Sequence, residues 1–381
     1  MTHLRVGVIV PLPEEFRYVS SVLDLLTDFR EQGRVYHTFR IPGTDTGGLL
    51  TVLHDMGHAN AAIAAQDLIR VFRVPLVTVI GTGAALSPEV ALGDVVVASE
   101  IDAYLYRAKA VEDAEHPGRT TLTLAGTSWK PSAPLLDHVR NFPLRRASRD
   151  IVTSWSGDAL ADCPLTPELR PAHGPALHVT PVATGEVVVG SAEFKEVIRS
   201  RNRTLAAVEM EAGGAALSAY HSDTADVLVI RGISDHAARD KTETDGARDV
   251  DGRPNAWRRY GVTNATRLLV SLLAAPDFPW RTVDPADVPG PAARPRRLRR
   301  GSFTAGGDGG DGPGPTARRV TAAAAGAATA AAVEYLAHRH RDAEEAVAAA
   351  NPPRTPDAET HLGRSCPDEG HDAPDAAAEH P

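Results

Sequence analysis

Several features that mark particular classes of protein are scarce or absent in this sequence of 381 residues. It contains two cysteines, Cys163 and Cys366, which are far apart and predict neither a disulfide framework nor a metal site. No apolar run approaches the ~20 residues of a membrane span, and no signal-peptide core follows Met1. The net charge of −9 argues against nucleic acid as the main partner. We therefore expect a soluble, cytoplasmic protein that has no membrane partner and for which nucleic acid is unlikely.

Known cofactor and nucleophile motifs are missing as well. The stretch Gly81-Thr82-Gly83 lacks the G-x-G-x-x-G spacing of dinucleotide sites, and no Gly-Lys-Ser/Thr follows it as in a Walker loop. The G-x-S-x-G elbow and a helical pair of zinc-binding histidines are absent too. The sequence therefore predicts no cofactor and no metal.

Residues 1–275 alternate short runs of β-branched apolar residues with helical stretches rich in Ala and Leu. Continuous apolar strands interleaved with helices are typical of a mostly parallel sheet covered on both faces. We predict an α/β fold, a single-domain mixed, mostly parallel sheet flanked by helices. The predicted strands are 6–10, 49–53, 76–80, 95–98, 205–210 and 227–233, and the predicted helices are 60–72, 193–199, 211–220 and 260–273.

Two regions depart from this pattern. Residues 107–180 are rich in Pro, Arg and Asp and predict an insertion of surface loops with some helix around 133–142. After residue 275 the composition predicts a disordered linker over 276–315, an alanine-rich helix within 316–350 and a disordered tail over 351–381.

Two clusters in that tail invite a functional interpretation. The basic run 294–300 is consistent with nucleic-acid or lipid binding, but we interpret it as a solvated linker. His361, Cys366 and His371 lack a clear fourth ligand, so we assign no metal to them.

The most informative residues are two acids that follow predicted strands. Glu211, in Val208-Glu209-Met210-Glu211-Ala212, begins a helix, and Asp235 lies just past the strand 227–233. In a parallel sheet both would face the crevice beyond the carboxyl ends of the strands, where ligands bind. Each acid alone is also explained as a favourable charge at a helix start or as a turn residue.

Three further segments follow predicted strands. Glu14 and Glu15 open a helix, and a glutamate there that faces a cleft could act as a general base. The turn 81–86 would let a ligand approach the backbone closely, although a tight strand-to-helix turn explains it equally well. Met56 and His58 follow the strand 49–53, and we interpret His58 as a histidine at a helix start with no catalytic task.

Taken in order, these segments resemble the nucleoside phosphorylase/nucleosidase superfamily, and most closely its methylthioadenosine/S-adenosylhomocysteine nucleosidase branch. The resemblance rests on the strand and acidic helix start 7–15, the turn 81–86 before Gly-Asp-Val-Val at 93–96, the turn 184–186, the Val-Glu-Met-Glu-Ala motif 208–212 and the Ser-Asp pair 234–235.

The resemblance implies hydrolysis of the N-glycosidic bond of a purine nucleoside or related adenosine derivative. Glu15 would activate the attacking water, and Asp235 would protonate purine N7 or hydrogen-bond towards it. Glu211 would bind the ribose hydroxyls, with Met210 packing on the sugar. The remaining expected substrate-binding residues are Met56, Thr82, Gly83, Val188, Val189, Glu209 and Ser234, of which Glu209 is also assigned a structural part.

Some positions depart from the family pattern. Val188 replaces an aromatic residue that would stack on adenine, and Glu186 replaces an aspartate. Phosphorolytic relatives carry an arginine where this chain has Val79, which favours water over phosphate as the nucleophile. Phosphorolysis and a catalytically weak nucleoside-sensing module stay open as alternatives, the expected ligand is a purine nucleoside or nucleotide, and a homo-oligomer is an expectation from the family.

Overall fold

A central mixed sheet with helices on both faces forms the part of the chain described by our computed structural model. That part is residues 3–281 without 115, 117, 119, 239 and 240. The predictions for the linker beyond 281, the helix within 316–350, the tail, the basic run and the His/Cys trio lie outside the described residues. None of the described helices has the length and hydrophobicity needed to span a bilayer.

The described elements follow one another in a largely alternating order. The strands are β1 (His3–Val10), β2 (Asp24–Glu31), β3 (Arg34–Arg40), β4 (Thr46–Val52), β5 (Leu76–Ala85), β6 (Val95–Ala103), β7 (Lys109–Glu112), β8 (Thr120–Thr123), β9 (Thr127–Trp129), β10 (Leu177–Thr184), β11 (Ala207–Glu209) and β12 (Asp226–Asp235). The helices are α1 (Pro13–Ser20), α2 (His58–Arg70), α3 (Ala133–Asn141), α4 (Arg149–Ala161), α5 (Ala192–Arg201), α6 (Ala212–Tyr220), α7 (Lys241–Gly246) and α8 (Ala256–Leu273).

The α/β prediction is confirmed. The main sheet has the order β11-β10-β6-β12-β5-β1-β4-β3-β2, and β9 pairs with β6. Its central strands, such as β5, are apolar on both faces because helices cover both. Val77 and Val79 face the alanine-rich α2 and α6, whereas Leu76 and Ile80 belong to the core under α3, α4 and α8.

The sheet closes on itself, which the parallel-sheet argument did not foresee. β11 runs antiparallel to β5, with Val208 opposite Ala84, while β12 runs parallel to β5. Glu211 and Asp235 therefore follow strands of opposite direction, and the expectation that both lie at one carboxyl edge of a parallel sheet is wrong. Both line one cavity because β11 folds back onto the last residues of β5.

The glycine-rich stretch after Ile80 is a strand and not a turn. β5 continues through Ala85 because its pairing with β12 extends from Leu76 to Ala84. The prediction of a turn over 81–86 is therefore wrong, although Thr82 and Gly83 of this stretch do line the candidate site.

The predicted insertion is more ordered than loops alone. It contains the separate hairpin β7–β8, strand β9 and helices α3 and α4, and α3 confirms the predicted helix around 133–142. Beyond the predicted domain limit at 275, Phe278 is buried and packs with Trp280 against the core, so ordered packing extends into the predicted linker.

Candidate active site

A cavity of about 340 Å³ lies where β5, β11 and β12 meet the chain segments after β1 and β4. Ten of the eleven predicted site residues line it: Glu15, Met56, Thr82, Gly83, Val188, Val189, Glu209, Met210, Glu211 and Asp235. The exception, Ser234, is buried behind the wall, and its hydroxyl lies 3.4 Å from Asp235 Oδ2. The other lining residues are Pro11, Leu12, Ala84, Val187, Val208, Arg231, Lys241 and Arg258.

Glu15 is fixed in the cavity floor from two sides. Pro13 begins α1 directly after the strand β1, which places Glu15 in the first turn of the helix, where it accepts a hydrogen bond from Leu12 N at 3.2 Å. From β5, Thr82 donates its backbone N–H at 2.7 Å and its hydroxyl at 2.8 Å to Glu15 Oε1. The carboxylate is 1% exposed and held by three donors, so its oxygens are positioned before any ligand arrives.

Arg231 is the central cation of the site. It lies in β12, is 1% exposed, and its Nη2 donates to both Glu209 and Glu211, the latter at 3.1 Å. Its Nη1 donates to Thr82 O at 3.3 Å. Gly81 permits this arrangement, because a Cβ there would lie 2.7 Å from Arg231 Nη1 and 3.1 Å from both carboxylate oxygens of Glu15.

Glu209 has a structural role in the site, because it connects Arg231 to the start of α6. Its Oε2 accepts the backbone N–H groups of Glu211 at 3.0 Å and Ala212 at 2.8 Å, in addition to the guanidinium of Arg231. Those N–H groups belong to the start of α6, where helix donors need partners from outside the helix. Glu209 thus links β12 to α6, which agrees with the structural part assigned to it from the sequence.

The charges in this cluster do not cancel. Glu15, Glu209 and Glu211 surround Arg231, so the full set of ionised groups sums to −2. Burial raises the pKa of Glu211 to about 7, and the neighbouring carboxylates of Glu209 and Glu15 add to this while Arg231 opposes it. The same carboxylates raise the pKa of Arg231 although its burial acts in the other direction.

The segment after β4 closes the side of the cavity next to Glu211. Gly57 N donates to Glu211 Oε1 at 3.3 Å, and Gly57 has a φ of +104°, a conformation that favours glycine. The next residue, His58, donates its backbone N–H to Glu186 Oε1 at 2.6 Å, while its ring Nε2 pairs with Thr184 Oγ1 at 2.8 Å. Burial lowers the pKa of His58. His58 therefore begins α2 and ties the two loops together.

Asp235 lies at the opposite end of the cavity and is 3% exposed. Its Oδ1 accepts the N–H of Ala237 at 2.9 Å, and its Oδ2 lies 2.8 Å from the ammonium group of Lys241, the first residue of α7. Val189 is buried beneath this end, whereas Val188 is 59% exposed at the rim. A carboxylate and an ammonium group thus stand side by side in the wall.

Sequence reasoning did not assign to the site the three cations that line the cavity among the described residues, Arg231, Lys241 and Arg258. Arg231 had a signal, since a charged residue interrupts an otherwise apolar strand four residues before Asp235. Lys241 and Arg258 had none, because their roles depend on how α7 and α8 pack. Arg258 pairs with Glu14 at 2.8 Å and with Asp245 at 3.6 Å at the mouth of the cavity.

A cation lies beside Glu15 although position 79 is a valine. Val79 is fully buried in the apolar core, and Arg231, opposite Gly81 in the neighbouring strand β12, brings a guanidinium next to Glu15. The absence of an arginine at position 79 therefore did not mean the absence of a cation beside Glu15.

A second, more open cleft of about 650 Å³ lies between α4 and α8. Its charged groups are mainly Asp150, Asp158 and Asp162, and Arg267 at its edge pairs with Asp162 at 2.8 Å. Both side chains of that pair are substantially exposed. The smaller cavity is the candidate active site, because its buried carboxylates converge on one space.

Solved structures with a similar fold include three enzymes. Futalosine hydrolase of Helicobacter pylori strain 26695 is 17% identical, with a TM-score of 0.51 over 71% of this chain and 97% of that one. The 5′-methylthioadenosine/S-adenosylhomocysteine nucleosidase of Neisseria meningitidis, solved with methylthio-immucillin-A, is 19% identical, with a TM-score of 0.51 and coverage of 71% and 98%. The corresponding nucleosidase of S. pneumoniae, solved with a transition-state inhibitor, is 21% identical, with a TM-score of 0.50 and coverage of 71% and 99%.

At these identities the similarity shows a shared fold. The family follows from the sequence model named "Phosphorylase superfamily", which matches residues 5–274, and these residues contain the sheet except for the first two residues of β1 and include every residue of the cavity wall. The chain therefore belongs to the phosphorylase superfamily.

Proposed function

We propose that this protein hydrolyses the N-glycosidic bond of a purine nucleoside or a related derivative and releases the free base and the sugar. The observation that carries the proposal is the convergence of Glu15, Glu211 and Asp235 on one cavity of about 340 Å³. Cleavage of such a bond passes through an oxocarbenium-like sugar, which needs a nucleophile on one side and a stabilised leaving group on the other.

Glu15 lies on the side of the cavity from which we expect the nucleophile to attack. With Oε1 held by Thr82 and Oε2 held by Leu12 N, the carboxylate can orient a water and take its proton as the oxygen attacks C1′. The electron pair of the C1′–N9 bond moves to the purine, which Asp235 protonates at N7 or approaches with a hydrogen bond.

Glu211 and Met210 lie on the side of the cavity where we expect the sugar to bind. Glu211 accepts a hydrogen bond from Gly57 N–H and forms an ion pair with Arg231. These two contacts fix the orientation of its carboxylate at the cavity wall. An ionised carboxylate is acceptor-only and suits the two ribose hydroxyls. Glu209 braces this group from behind, and its assignment as a substrate contact stays a prediction.

Charge favours water over phosphate as the nucleophile. Arg231 is engaged by Glu209 and Glu211, and Glu15 lies next to it, so a phosphate dianion would enter a buried cluster that is already negative. Bringing like charges together away from water is costly. The surplus of buried carboxylates around Arg231 therefore favours hydrolysis over phosphorolysis.

The test is base release from a panel of purine nucleosides and nucleotides, followed by mass spectrometry with and without phosphate. Glu15→Gln should lower kcat/KM by about 10²- to 10⁴-fold with binding retained by calorimetry. Asp235→Asn should also lose turnover and keep binding. Glu31→Gln, a change on an exposed residue of β2, is the matched control.

Each alternative has its own outcome. Base release that requires added phosphate would establish phosphorolysis instead. Binding of a nucleoside that is recovered intact would establish a sensing module, for which the exposed Val188 at the place of a stacking aromatic is the favouring observation. No binding and no release with any panel member would refute both.

A further inference from the structure

The wall at Asp235 carries a cation that the proposed reaction has not used. Lys241 Nζ lies 2.8 Å from Asp235 Oδ2 and 3.5 Å from Asp245 Oδ2, and its side chain is 27% exposed. It is the single lysine among the described residues that line the cavity. An ammonium group offers three N–H donors and no acceptor, so it can hold both aspartates and still donate to a ligand.

The other cations of the wall are placed differently. Arg231 is 1% exposed and directed at Glu209 and Glu211, whereas Arg258 pairs with Glu14 and Asp245 at the mouth. Lys241 thus stands beside the residue that the proposed mechanism assigns to the base. A ligand atom that contacts Asp235 comes within reach of the ammonium group as well.

Purines differ in the hydrogen-bonding groups at the N7 and position-6 edge, which Asp235 and Lys241 would contact. A 6-oxopurine presents two acceptors there, O6 and N7, whereas a 6-aminopurine presents the N7 acceptor beside an N–H₂ donor. Lys241 can donate to O6, but it has no acceptor for an exocyclic amino group. A 6-amino group could reach an acceptor only on Asp235, whose Oδ1 already accepts from Ala237 N–H and whose Oδ2 lies 2.8 Å from Lys241 Nζ, so its N–H groups would compete with the ammonium group for that carboxylate.

We propose that Lys241 is the residue that recognises position 6 of the base and that this site takes 6-oxopurine nucleosides in preference to 6-aminopurine nucleosides. This inference rests on the proposed function and narrows its substrate class. The same contact also assists cleavage. As the C1′–N9 bond breaks, its electron pair spreads through the ring to O6, where the ammonium group stabilises the developing charge.

Inosine and adenosine test the proposal directly, because their bases differ at position 6. The wild-type protein should show a kcat/KM for inosine about 100-fold above that for adenosine, since a site that donates to a substrate group discriminates against the analogue that lacks the acceptor. Lys241→Met should remove most of this ratio by lowering inosine cleavage. Lys241→Gln offers a carbonyl acceptor as well as an N–H donor, so it should also lower the ratio, by admitting the 6-amino group.

The control is Lys130→Met, which changes a lysine that is 63% exposed and pairs with Glu100 away from the cavity. It should leave the ratio unchanged. Thermal unfolding of each variant establishes that the fold is intact. Equal cleavage of inosine and adenosine by the wild type, or a preference that survives Lys241→Met, would overturn the proposal.

Calorimetry with free hypoxanthine and adenine separates this inference from the proposed function. If no nucleoside is cleaved but hypoxanthine binds more tightly than adenine, and Lys241→Met abolishes the difference, base recognition stands while hydrolysis fails. If nucleosides are cleaved but adenine binds as tightly as hypoxanthine, the assignment of Lys241 fails while hydrolysis stands.

Discussion

Replacing Arg231 by Met should unmask the repulsion between the buried carboxylates of the site. The side chains of Arg231, Glu209 and Glu211 are 1%, 1% and 3% exposed, so the change leaves charged groups without a partner and without water. Removing one partner of a buried ion pair costs about 3–5 kcal/mol. With a denaturant slope on the order of 3 kcal/mol per M urea, the unfolding midpoint should fall by about 1–1.7 M.

The loss should depend on pH with a defined sign. The pKa of Glu211 is raised to about 7 in the folded protein from an ordinary value of 4.5. A group with a raised folded-state pKa contributes stability below its unfolded pKa and loses it as the pH rises through the folded value. In Arg231→Met the opposing guanidinium is gone and the pKa of Glu211 should rise further, so we expect a larger loss at about pH 8 than at about pH 5.5, by at most about 1.4 kcal/mol because pH 8 lies about one unit above the wild-type pKa.

Urea unfolding of the full chain at both pH values measures this effect. Arg267→Met, which breaks an exposed pair with Asp162, should cost no more than about 1 kcal/mol. Adding Glu209→Gln and Glu211→Gln to Arg231→Met should recover roughly half of the loss, since the uncompensated charges are then gone. A loss under about 1 kcal/mol at pH 8, or a triple variant no more stable than the single one, would refute the reasoning.

The remaining predictions concern Glu211 and Gly81. Since Glu211 accepts the ribose hydroxyls only when ionised, kcat/KM for a cleaved nucleoside should rise with pH through about 7. This rise should vanish in the residual activity of Glu211→Gln, and a wild-type profile that is flat from about pH 5.5 to 8.5 would contradict the assignment. Gly81→Ala would bring a Cβ to 2.7 Å from Arg231 Nη1 and 3.1 Å from Glu15, so we expect a loss of about 1–3 kcal/mol in unfolding free energy together with lower kcat/KM. Gly157→Ala, where nothing lies within 4 Å of the added Cβ, is the control in both assays, and equal behaviour of the two variants would count against the tight site.

Predictability from the sequence differed between local and long-range features. The strands ending at Val10 and before Asp235 were visible because apolar runs with both faces buried leave a continuous pattern. The glycines of the segment 81–86 predict a turn because glycine usually breaks strands, whereas the pairing of residues 81–85 with β11 and β12 is a long-range property that the local sequence does not specify. The hairpin β2–β3 was missed for a related reason, since most residues of β2 are exposed.

The sequence by itself determined the α/β class, the superfamily resemblance and the identity of the acids Glu15, Glu211 and Asp235, because short motifs and burial patterns are local in the chain. Tertiary structure alone decided their environment. The return of β11 onto β5 placed Glu211 beside Arg231, and the packing of α7 placed Lys241 beside Asp235. Electrostatic interaction depends on distance and burial in space, and spacing along the chain specifies neither.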